Sequence, residues 1–396
     1  MRIFTICSVL SLSNLAFAQV ELVAKIAVPG DARDLSKLRS VATSSVPQNR
    51  LGGFGSAIDF DPETGLLWSA VDRGPADGES VYKCRLQVFR LDIEKATAEV
   101  VNTVMLSRDG EPLVGDIRAL AAEQALQARL DPEGLRVIPG GIVTSEEYGP
   151  FIDVFDRDGT HRRRIAPPAK FMVNIAADTP EGEMPPNNSA GRQANKGFEG
   201  LALSRDGSKL YAILQGPLLQ DNPVDARNKK IGLGLRVLEA SLDGGTPREF
   251  VYVLDKPKNG VSEILALDAE RFLVLERDGD RGRECKHRTI YAATIAGATD
   301  VSGVDSLPSS GAPDGATAMR KEVFIDLLDP KFGLAGDTMP EKIEGLTFGP
   351  KLADGRSTLI VSVDNDCKAE FESWFWVFAF QDSAIPTAES IMSALP

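Results

Sequence analysis

Histidine is nearly absent from this chain: His161 and His287 are the only two. A Ser-His-Asp triad therefore has little material, and no G-x-S-x-G nucleophile elbow occurs. Also lacking is a glycine-rich phosphate loop that follows a strand and opens a helix. The short turns DRDG (156–159), SRDG (204–207) and SLDG (241–244) have none of the further ligand spacing of an EF-hand, so they read as hairpin turns. No stretch beyond the first residues approaches about 18 apolar positions, so no transmembrane span is expected. Excess positive charge is missing too. The net charge of −13 makes the surface as a whole repel nucleic acid and favour cations or neutral partners.

Cysteine is scarce, and its four positions carry information. The first residues, MRIFTICSVLSLSNLAFAQV, combine Arg2, an apolar core and Ala16-Phe17-Ala18. That pattern reads as a secretory signal over residues 1–18, which takes Cys7 with it and leaves residues 19–396 as one exported domain, periplasmic or secreted. Cys84, Cys285 and Cys367 then remain, an odd number that permits at most one internal bridge. Cys285 and Cys367 each follow the second strand of consecutive repeats, so a Cys285–Cys367 disulfide is expected, with Cys84–Cys367 as its rival. Paired-cysteine spacing is absent, which argues against zinc.

What the chain does have is a recurring hairpin. Residues 195–216 read NKGFEGLALSRDGSKLYAILQG, with two short apolar runs around a Ser-Arg-Asp-Gly turn. Glu199 opens the first strand and Gln215 follows the second, so the two meet at one rim of the sheet. Similar hairpins place Glu133 with Glu146 and Glu147, Glu263 with Glu276 and Arg277, and Glu344 with Asp364, Asn365 and Asp366. In the first copy Ser56 stands where the glutamate would be, and Asp72 and Arg73 close the hairpin. The copies recur roughly every 65 to 80 residues, which points to a propeller-type array.

The expected fold is all-β: a β-propeller of four-stranded blades, five in number, with six still open if an irregular segment hides a degenerate blade. The last repeat lacks a fourth strand of its own, and the alternating run at residues 20–28 (VELVAKIAV) can supply it and close the ring. One helix is expected over Asp116–Arg129, and a long loop over Asp178–Asn195.

In a propeller the first strands line the central channel and their starts share one face. Glu133, Glu199, Glu263 and Glu344 would therefore converge, flanked by Asp72, Glu146, Glu276, Asp364 and Asp366. So many carboxylates favour a hard, oxygen-seeking cation, and these nine residues are the candidate Ca²⁺ ligands. Raised carboxyl pKa values are the other way to relieve the repulsion. Arg73 and Arg277 are placed to grip an anionic group, and Glu147 and His287 are further candidates for a direct part in chemistry. The plain structural alternative is that Glu-Gly-Leu is a repeat device: the glutamate bonds backbone N–H groups of the next blade, and the glycine permits close approach.

The segments GFGSAIDFDPETGLLWSAVDRGP, the repeated EGL, FLVLERDGDRGR, and KIEGLTFGP followed by VSVDND resemble the phytase-like family described as esterase-like activity of phytase. They span roughly residues 54–380. The resemblance implies a secreted propeller that hydrolyses phosphate or carboxylic esters. Two readings follow for this monomer-sized chain. One is a Ca²⁺-dependent, esterase- or phosphatase-type hydrolase acting on a small-molecule ester or phosphoester at the acidic axial site. The other is a non-catalytic propeller that binds a ligand or protein partner, with acids or Ca²⁺ in a structural part.

Overall fold

A computed structural model describes residues 20–43, 46–117, 128–177, 179–223, 227 and 229–394. The signal segment and most of the helix expected over Asp116–Arg129 lie outside the described residues. Five four-stranded antiparallel sheets are arranged as a β-propeller. Blade 1 is built from Phe54–Asp61, Leu66–Val71, Arg85–Asp92 and Thr97–Met105. Blade 2 comprises Pro132–Ile138, Gly141–Glu146, Ile152–Asp156 and His161–Ile165. Blade 3 runs Phe198–Leu203, Lys209–Leu214, Gly234–Ser241 and Arg248–Val253, and blade 4 runs Gly260–Ala266, Arg271–Arg277, Arg288–Thr294 and Arg320–Asp326. Blade 5 has three strands from the C-terminal part, Ile343–Phe348, Ser357–Val363 and Ser373–Phe380. Its outer strand is the N-terminal Glu21–Val28, which pairs antiparallel with Ser373–Phe380 and closes the ring.

Alternation along each strand sends successive side chains to opposite faces, so each blade packs on both neighbours. The cores are accordingly five apolar layers between blades. Leu273, Leu275, Trp376 and Phe378 lie between blades 4 and 5, and Phe54, Phe89, Phe375 and Val377 lie between blades 5 and 1. At that closing seam Phe54 stacks 4.8 Å from Phe89 and 5.5 Å from Phe375, centroid to centroid. Each fully buried side chain of this kind contributes about 1.5–3 kcal/mol over exposure. The first strands of successive blades lie side by side around the axis. Among the described residues no helix is long and apolar enough to cross a membrane.

The turn tetrads are spent on local bonding. In SRDG, Gly207 N–H donates to Ser204 O, and Asp206 accepts from the Ser204 and Ser208 hydroxyls. The predicted disulfide is not formed: Cys84, Cys285 and Cys367 are free and buried. Sharing a rim did not bring the sulfurs together. The Cys285 thiol donates to Asp280 O at 3.1 Å, the Cys84 thiol donates to Leu130 O at 3.2 Å, and Cys367 packs against Gly53 of blade 1.

Candidate functional site

A β-bulge interrupts the start of every first strand, and this irregularity builds the site. In blades 2 and 3 the residue left out of the pairing is Glu133 or Glu199, and in blade 5 Glu344 lies in the bulged stretch with Gly345. Blade 1 has Ser56 in its bulge, as the hairpin alignment anticipates. Blade 4 departs from the alignment by one residue: Ser262 is bulged, and Glu263 pairs with Leu275 at the position glycine holds in blades 2 and 3. Beside the bulges stand the residues that follow the second strands, Asp72, Glu147, Gln215 and Asp364, with Arg277 ending its own. Extra backbone bonds hold them there, for example from Glu147 N–H to Asp131 O at 3.0 Å and from Asp364 N–H to Lys342 O at 3.0 Å.

These positions converge on an axial cavity of about 280 Å³ lined by Arg73, Glu133, Glu147, Lys196, Glu199, Arg277, Lys342 and Glu344. The mouth is acidic with basic groups set between the acids, rather than a bare ring of carboxylates. Arg73 Nη1 lies 2.7 Å from Asp131 Oδ2 and 3.3 Å from Glu147 Oε2, and its guanidinium also bonds Asn195 Oδ1. Arg277 donates to Ser262 Oγ at 2.8 Å and to Glu344 Oε1 at 3.0 Å. Lys342 Nζ sits among Asp366 at 2.7 Å, Asp72 at 3.2 Å and Asp364 at 3.5 Å. Asp131, Lys196 and Lys342 were not picked out from the sequence. Asp131 and Lys342 share a signal, since each stands two residues before the glutamate of its own repeat.

Burial, then the charges of Asp131, Glu199, Glu147 and Glu344, holds Glu133 well above the usual carboxylate range. Burial, then Glu147 and Glu344, does the same to Glu199. Glu147 is also raised, by burial and then Asp131, and it shares a hydrogen bond with Glu199. Glu147 Oε1 and Glu199 Oε2 are buried without a hydrogen-bond partner among the described residues. Asp72 is pushed up to about 6 by burial and Asp131, against Lys342 and Arg73.

Three groups offer oxygen or nitrogen ligands within 4.8 Å of one another: Asp131, Glu133 and Glu147; Asp72, Asp364 and Asp366; and Asp255, Glu276 and His287. Lys342 fills the second, and Lys321 lies 2.6 Å from Asp255 and 2.7 Å from Glu276 in the third. In the first, Arg73 touches Asp131 and Glu147, while the Glu133 side chain has no hydrogen bond or ion pair among the described residues. Three carboxylate oxygens this close suit a hard cation, so this donor set fits Ca²⁺.

Other predicted site residues lie elsewhere. Glu146 caps a turn, accepting from the backbone N–H groups of Tyr148, Gly149 and Phe151. Glu276 accepts from Tyr252 Oη at 2.9 Å, Asn259 Nδ2 at 2.7 Å and Lys321 Nζ at 2.7 Å, away from the axial cavity. His287 sits beside it, 3.6 Å from Glu276 and stacked on Tyr291. Adjacent strand residues face opposite ways, so Glu146 and Glu276 turn from the cavity while Glu147 and Arg277 turn to it. Glu263 lies in the channel wall below, accepting from the N–H groups of Leu201 and Ile264. Of the four residues singled out for chemistry, the cavity gathers Arg73, Glu147 and Arg277 and leaves out His287.

The sequence matches the phytase-like family described as esterase-like activity of phytase over residues 49–367, the stretch holding every hairpin described above. The chain belongs to this family. The phytase-like chain is also 27% identical over 378 residues to an uncharacterized secreted protein of Arthroderma benhamiae, covering 73% of each. Among solved structures it is similar to Myxococcus xanthus glutaminyl cyclase (10% identity, 92% of this chain and 97% of that one, TM-score 0.40). It is similar too to a periplasmic gluconolactonase of Pseudomonas aeruginosa (11% identity, 83% and 87%, TM-score 0.34). Neither likeness bears on the chemistry of this phytase-like protein.

Proposed function

We propose that this phytase-like propeller is an exported hydrolase of phosphate or carboxylic esters that works at the axial mouth. The observation that carries the reading is the buried trio of Asp131, Glu133 and Glu147, with Glu133 unpaired, in the same cavity as Arg73 and Arg277. Asp131, Glu133 and Glu147 would hold Ca²⁺, which supplies charge stabilisation at an ester oxygen and a more acidic water. Arg73 and Arg277 bind the anionic part of the substrate through N–H donors. Burial holds the Glu199 carboxyl well above the usual carboxylate range, so Glu199 would serve as the proton donor beside them. Family membership supports ester hydrolysis as the reaction class. The secreted relative supports export.

The rival is a non-catalytic binding propeller, favoured by the occupation of one acidic trio by Lys342. Hydrolysis of p-nitrophenyl phosphate and p-nitrophenyl acetate, read with thermal melting in EDTA and in Ca²⁺, separates the two. Turnover that follows Ca²⁺ and collapses in Glu133→Gln supports the hydrolase. A Ca²⁺-dependent rise in melting temperature with no turnover supports the rival. Neither effect would assign the carboxylates to architecture alone.

A further inference from the structure

A cavity larger than the axial mouth adjoins it. A cleft of about 1090 Å³ opens between blades 4 and 5, and it meets the axial cavity at Glu341 and Lys342, which line both. Charged residues line most of it, and three aromatic residues form one part of the wall. Trp376 lines it from the inter-blade core, buried, with its indole Nε1 lacking any hydrogen-bond partner. Trp374 is half-buried, with Lys25 Nζ 5.4 Å from its ring centroid. Phe371 is 49% exposed. The chain has only three tryptophans, and two of them line this cleft.

Phe371 stands exposed beside the half-buried Trp374, and covering such aromatic surface is favourable. A planar aromatic group is the kind of occupant that covers these rings, by stacking on them. Lys25 and Arg281 line the same cleft and make no ion pair among the described residues, so an oxygen of the occupant is welcome beside them.

We propose that this cleft is an aromatic-binding subsite that seats the planar arm of an aryl ester, whose ester group reaches the axial mouth past Lys342. The proposal rests on the hydrolase reading for the reacting end and on the cleft alone for the arm. In the reaction the bond from the aryl oxygen to the phosphoryl or acyl centre breaks. Water gives its hydroxyl to that centre, and its proton goes to the departing aryl oxygen.

The test uses residues 19–396 and 2-naphthol, the arm without an ester, followed by quenching of tryptophan fluorescence. Saturable quenching is expected, weakened about fivefold in Phe371→Ala, whose exposed side chain makes misfolding a small concern. The second arm compares 2-naphthyl phosphate and 2-naphthyl acetate with methyl phosphate and methyl acetate. A KM-based preference for the naphthyl member of one pair is expected, and that preference falls about fivefold in Phe371→Ala. Quenching without turnover of any ester keeps the aromatic subsite and overturns the hydrolase reading joined to it. Turnover with neither quenching nor naphthyl preference overturns the subsite and leaves the hydrolase reading standing.

Discussion

Arg136 of blade 2 reaches across the channel to within 3.3 Å of Glu263 of blade 4. The same guanidinium donates to Ile58 O of blade 1 at 3.1 Å and to Ile264 O of blade 4 at 2.8 Å. One buried side chain thus ties three blades together. Removing it in Arg136→Ala leaves Glu263 and two carbonyls without its donors, and is expected to cost roughly 1–3 kcal/mol. Urea unfolding measures that loss, and adding Glu263→Gln should recover part of it, because the amide needs no cationic partner. Full additivity of the two changes would show that the pair is not coupled.

Glu263 also makes stability depend on pH. Burial pushes its carboxyl up to about 8, outweighing Arg136 and two backbone N–H donors. The folded protein therefore keeps a proton that the unfolded chain releases above the ordinary carboxylate range. Stability from this group is full at low pH and falls as pH rises to about 8, with a slope of at most about 1.4 kcal/mol per pH unit. Melting temperatures across that window should decline more steeply in the native protein than in Glu263→Gln. Parallel curves would place the titration elsewhere.

The glycine of Glu-Gly-Leu is architectural. A Cβ on Gly200 would lie 2.6 Å from Ile264 N and 2.8 Å from Glu263 Cα, backbone atoms of the next blade that cannot step aside. Gly345 meets Ile58 N at 2.9 Å in the same way. Gly200→Ala is therefore expected to destabilise by about 1–3 kcal/mol through overpacking. Gly207→Ala, in a turn with open space and φ +72, isolates backbone strain of about 1 kcal/mol. Chemical denaturation of both variants gives the comparison.

Hairpins, blades and the closing N-terminal strand were legible because apolar alternation and turn glycines are local signals. The face taken by a side chain at a strand end was not. Glu146 and Glu147 are neighbours in sequence, yet one caps a turn and the other enters the cavity. A bulge shifts register by one residue without altering composition, so Glu263 looked like the fourth member of a ring whose place Ser262 holds. The cysteines failed for a related reason. Membership of one rim says nothing about sulfur separation, which a disulfide requires to be about 2 Å. Asp131 was hidden by its own repeat, because its equivalents in blades 1, 3 and 4 are Gly53, Gly197 and Gly260.

Cation binding at Asp131, Glu133 and Glu147 should release protons. Burial and neighbouring acids hold Glu133 and Glu147 above the usual carboxylate range, so near neutrality a cation competes with protons there. Ca²⁺ affinity is expected to rise with pH. Titration calorimetry in two buffers of different ionisation enthalpy should report net proton release, reduced in Glu133→Gln. Binding with no proton release would move the cation away from this trio.

Arg277 separates substrate gripping from architecture. Its guanidinium spans Ser262 Oγ and Glu344 Oε1, and Glu344 Oε2 is already without a partner. Arg277→Ala removes the one ion pair Glu344 makes among the described residues, so some loss of melting temperature is expected from the stranded carboxylate. Were that the whole effect, kinetics at a temperature where the variant stays folded would match the native protein. A guanidinium that also grips an anionic substrate predicts more: KM for p-nitrophenyl phosphate rising about 10- to 100-fold, the value of one or two charge-assisted hydrogen bonds. Arg277→Lys keeps the charge but not the planar fork, so it should restore stability more fully than KM. A lysine variant that recovers both together would mean the cavity needs only positive charge at this position.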